Sequence, residues 1–150
     1  MKRIASIAVL AGLTFAAGAV LAHDDAYLDT QKAPNGGQLR MAGPNHYELV
    51  LVKDAKEVRE NPVVVYVTDH AGQKIPTAGA AGTATILAGK LKAAATLKPD
   101  GDNRMKGVAK YASTPDTKVV VSITLAGKQA EQARFTPLAV AKDTHTDHKH

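Results

Sequence analysis

Cysteine and tryptophan are absent from the 150 residues, and aromatic side chains make up only 4%. Without Cys there is no disulfide, no thiolate metal ligand, no Cys nucleophile and no lipidated N-terminal Cys. With no Trp, four Tyr and two Phe, a platform of stacked rings for nucleic acid is not expected. Serine is also scarce: only Ser6, Ser113 and Ser122 occur, and no Gly-x-Ser-x-Gly elbow marks a hydrolase. Gly82 to Lys90 has the glycines and lysine of a phosphate loop. However, six residues separate Gly82 from Gly89, and no Ser or Thr follows Lys90. No catalytic constellation is recognisable, so the chain is not expected to be an enzyme.

What is present begins with a leader. Lys2 and Arg3 precede an uncharged, Ala- and Leu-rich run from Ile4 to Leu21, and Val20-Leu21-Ala22 is a good cleavage site. The expectation is a signal peptide over 1–22, a mature chain starting at His23, a periplasmic location and no membrane insertion after cleavage. Removing Lys2 and Arg3 lowers the net charge from +5 to +3, too little to suggest a nucleic-acid partner.

The mature sequence reads as strands. Residues 23–33 are polar and without period, a flexible arm. Pro34-Asn35-Gly36-Gly37 is a turn signal. Period-2 alternation follows in Tyr47/Leu49/Leu51, Val63/Val65/Val67, Ala84/Ile86/Ala88, Leu91/Ala93/Ala95/Leu97, Val119/Val121/Ile123/Leu125 and Ala133/Phe135. Turn-rich connections occur at Asp69-His70-Ala71-Gly72, Lys98 to Asn103 and Ala126-Gly127-Lys128. Helix has weak support, at Lys53 to Glu60 only. The fold expected is all-β: a small antiparallel β-sandwich, immunoglobulin-like, over residues 34–140, with a closed barrel as its rival. Residues 141–150 read as a disordered, His-containing tail.

The six His suggest metal chemistry. As the first mature residue, His23 offers both an α-amine and an imidazole, with Asp24 beside it. Such nitrogen and oxygen donors suit Cu, Zn, Co or Ni as divalent ions. His46 and Glu48, two apart, share a strand face opposite Tyr47 and Leu49; a solvated polar face gives the same pattern. His70 sits in a turn. His145, His148 and His150 form a loose collecting tract around Asp147. Met41 and Met105 are the mature chain's methionines, too few for a dedicated Cu(I) cage.

The order Pro34-Asn35-Gly36-Gly37, His46-Tyr47-Glu48-Leu49-Val50, Val65 to Gly72, Leu97 to Gly101, then Gly127-Lys128 and Ala133 to Leu138 resembles a known group. It is similar to small periplasmic proteins associated with heavy-metal (RND-type) efflux systems, and to a β-rich domain of some membrane-fusion adaptor subunits of those pumps. The resemblance implies a β-sandwich and a link to metal efflux, and it points to His46, Glu48 and His70. The long helical hairpin and lipoyl-like parts of a whole adaptor are missing. The function expected is a periplasmic protein that binds and buffers a divalent transition metal, accessory to efflux, with an adaptor subunit as partner. The alternative is a metal-free interaction module docking on an adaptor or other envelope protein, with Lys90, Lys92 and Lys98 supplying a basic face.

Overall fold

Each alternating segment folds as a strand because one side chain in two is buried while its neighbours meet water. A computed structural model describes residues 24–140; the leader, His23 and the tail with His145, His148 and His150 lie outside the described residues. Among the described residues, one short helix, α1 (Asp25–Thr30), precedes eight strands: β1 (Gln38–Ala42), β2 (Asn45–Leu51), β3 (Arg59–Asp69), β4 (Ala81–Ala88), β5 (Leu91–Pro99), β6 (Arg104–Tyr111), β7 (Lys118–Thr124) and β8 (Ala130–Phe135). Val63, Val65, Val67, Val119, Val121 and Ile123 take the inward positions that their alternation predicts, each at most 1% exposed. Lys53 to Glu60 is not helical; β3 begins at Arg59.

The immunoglobulin-like sandwich is not formed. The strands make a single antiparallel sheet in the order β1-β2-β3-β6-β5-β4-β7-β8, curled into a near-closed barrel. A sandwich needs two separate sheets, but here β5 links the two halves. It pairs with β4 over Leu91–Leu97 and then with β6 at Lys98 and Pro99. Gly107 of β6 permits this corner, since a methyl group there would overlap the Thr96 carbonyl of β5. At the opposite seam, Thr136 N donates to Gln38 Oε1 at 2.8 Å. The Glu131 carboxylate of β8 also lies against Gly43 in the β1–β2 turn. One hydrophobic cluster fills the interior and takes residues from every strand. Alternation reports that one face is buried but not whether the sheet is continuous, so it fits either architecture.

Residues 23–33, expected as an arm, include α1. Asp24 caps the helix by accepting a hydrogen bond from Tyr27 N at 2.8 Å. Leu28, 2% exposed, seats it outside the barrel core. Buried Arg40 of β1 reaches Asp29 at 2.7 Å and Asp25 at 3.6 Å. Six residues with a single apolar anchor have no period to read, so tertiary contacts decide this helix. None of the described helices is long and apolar enough to cross a membrane.

Candidate functional site

The outer face of β2 is where the chain departs most from a simple half-buried strand. His46 and Glu48 alternate with the core residues Tyr47 and Leu49, yet are only 8% and 3% exposed. The segment that joins α1 to β1 covers Glu48 through Asn35 and Gly37, and His46 lines a cleft beside residues of α1. The register with β3 sets His46 opposite Thr68, so His70 is its diagonal neighbour on the same face. The two imidazole rings have centroids 4.8 Å apart and are inclined by 47°. The turn carrying His70 is fixed by Asp69, whose Oδ1 accepts from Ala71 N at 2.9 Å and Gln73 N at 2.8 Å. Gly72, with φ of 80°, completes it.

Glu48 is engaged elsewhere. Oε2 accepts from Asn35 N and Gly37 N, both at 2.9 Å, and Oε1 accepts from Asn35 Nδ2 at 3.0 Å. Both oxygens therefore organise the Pro34-Asn35-Gly36-Gly37 turn. Gly37 is required for the approach, because a methyl group there would overlap the Leu49 carbonyl. The turn signal and the candidate carboxylate ligand belong to one structural device.

Between α1 and the β1–β3 wall lies a cleft of about 490 Å³. Its lining includes Tyr27 and Leu28 from α1, Leu39 from β1, His46, Tyr66 and His70. Lys32 and Lys74 add positive charge, and Asn103, which donates through Nδ2 to Val67 O at 3.1 Å, also lines the cleft. Among the described residues, Glu48 is the only carboxylate lining the cleft. Tyr66 also touches β6 chemistry: its phenol, followed by Asp100, raises the Arg104 guanidinium above its ordinary range.

Of the residues singled out in the sequence, His46, Glu48 and His70 come together here. Asp24 instead caps α1. His23, His145, His148 and His150 lie outside the described residues. Among the described residues, no three His, Cys, Asp or Glu side chains assemble as a metal-binding group. Sequence reasoning missed Tyr27, Leu28, Leu39, Tyr66 and Asn103. A signal existed for α1: Asp24 stands at a cap position ahead of Leu28, the lone leucine in a polar stretch. Asn103 has none, since only the fold brings it to β3. No family model, curated protein or solved structure matches the chain.

Proposed function

We propose that this chain is a non-enzymatic interaction module of the periplasm that docks another envelope protein through the cleft between α1 and β1–β3. The observation that carries this reading is the engagement of Glu48. With both carboxylate oxygens turned to residues 35–37, the cleft offers apolar and aromatic walls, two imidazoles and two lysines. That lining suits a partner's side chain better than a closed metal site, which needs three or four convergent donors. The resemblance to efflux-associated proteins makes an adaptor subunit of a heavy-metal pump the first partner to test. The purified chain and such an adaptor are expected to associate in the presence of a chelator. Tyr27→Ala with His70→Ala is expected to weaken association at least about tenfold. Association that vanishes with chelator, or that ignores both cleft substitutions, rejects the reading.

The 4.8 Å ring separation of His46 and His70 favours a second reading, in which this pair is part of a Cu, Zn, Co or Ni site. Calorimetric titration of the full chain with Cu(II) or Zn(II) tests it. His46→Ala with His70→Ala is expected to weaken binding; an unchanged isotherm removes this pair from any metal site.

A further inference from the structure

Charge is divided unevenly around the barrel. β6, β5, β4 and β7 are consecutive neighbours in the sheet, and none of them contains Asp or Glu. They carry Arg104 and the exposed Lys92, Lys98, Lys106, Lys110 and Lys118, and Lys90 is exposed in the β4–β5 turn. These positions alternate with buried core residues, so the lysines of the strands share the outer surface. β2, β3 and β8, in the other half, hold Glu48, Glu60, Asp69 and Glu131.

The register concentrates the positive charge. Lys98 stands directly opposite Lys106, a like-charged cross-strand pair that costs stability in the isolated domain. Leu87, 40% exposed, has Lys92 opposite it on β5 and Lys118 opposite it on β7. Val108, 51% exposed, lies between Lys106 and Lys110 on the outer face of β6. The nearby carboxylates lie at the wall's margins: Asp100 holds Arg104 at 2.6 Å, Glu60 faces Lys110 across the β3–β6 pair, and Asp102 and Asp116 are exposed in the β5–β6 and β6–β7 connections. Among the described residues, none of these lysines forms an ion pair.

We infer that the β6–β5–β4–β7 wall rests on an anionic lipid bilayer, with lysines among the headgroups and Leu87 and Val108 at the interface, without insertion. Charge complementarity selects an anionic surface. The kind of cation selects lipid over protein, because protein interfaces are enriched in aromatic residues and Arg and depleted in Lys. This wall has exposed ammonium groups, its one Arg is held by Asp100, and its one aromatic, Tyr111, is buried. Compact ammonium charges suit a diffuse layer of phosphates. The cleft belongs to β1–β3, so a chain lying this way keeps it turned away from the membrane.

The test is co-sedimentation of the full chain with phosphatidylcholine vesicles, with and without phosphatidylglycerol, at about 10 mM and about 500 mM salt. Binding is expected only with phosphatidylglycerol and only at low salt. Lys98→Glu with Lys106→Glu is expected to lower partitioning at least about tenfold. Lys53→Glu with Lys56→Glu, in the β2–β3 loop, makes the same change in net charge and is expected to have a much smaller effect. All four positions are exposed, and circular dichroism confirms folding. Equal losses in both variants, binding to vesicles lacking phosphatidylglycerol, or binding to polyglutamate without binding to vesicles each overturns the inference.

Discussion

Glu48 illustrates how a residue's type and spacing leave its role open. Two positions from His46 on one strand face, it fits a ligand pair, yet its carboxylate is saturated by Asn35 and Gly37. Glu48→Ala is expected to destabilise the chain by about 2–4 kcal/mol in urea unfolding, because it leaves three N–H groups without their acceptor. A Glu48 held in readiness for metal would instead leave the stability of the chelator-treated chain unchanged. Tyr47, its neighbour, faces the core. Burial, and then the Glu131 carboxylate, push its phenol from 10.0 up to about 12. The folded chain therefore keeps a proton that the unfolded chain releases, so stability is fully present below pH 10 and falls as pH rises towards about 12. Urea midpoints at stepped alkaline pH are expected to fall less steeply for Tyr47→Phe. Burial raises the Tyr111 phenol too, so some slope remains.

Among the elements, the strands were the most legible and α1 the least. The inward Val, Ile and Leu positions of β2, β3 and β7 follow directly from period 2, because burial of one face repeats every second residue. β1 and β6 escaped notice because Arg40, Gly107 and scattered lysines blur their alternation. α1 rests on Leu28, the Asp24 cap and two ion pairs to Arg40. Leu28→Ala is expected to release α1 without unfolding the barrel. Hydrogen exchange should then lose protection at 28–31 while β3 and β7 stay protected. The β5–β6 corner is more demanding. Gly107→Ala forces a methyl group onto the Thr96 carbonyl and is expected to cost about 1–3 kcal/mol in chemical denaturation.

At the scale of the whole molecule, one core cluster draws on all eight strands. The barrel is therefore expected to unfold in a single transition, with near-ultraviolet and far-ultraviolet circular dichroism coincident in urea. Two non-coincident transitions would mean that part of the barrel unfolds independently of the rest. The molecule also has distinct sides. The cleft and most of the strand carboxylates occupy the β1–β3 half, while the strands β4, β5, β6 and β7 carry basic residues and no carboxylate of their own.

The amino-acid sequence by itself determined that the chain is all-β, which side chains face inward on the clearest strands, and where several turns fall. These are local properties, set by side-chain period and by the backbone freedom of Gly and Asn. Closure into a barrel, the covered outer face of β2, the diagonal meeting of His46 with His70 and the engagement of Glu48 were decided only by tertiary structure. Each depends on residues far apart in the chain meeting across a register or under a helix, and local periodicity carries no information about those distances.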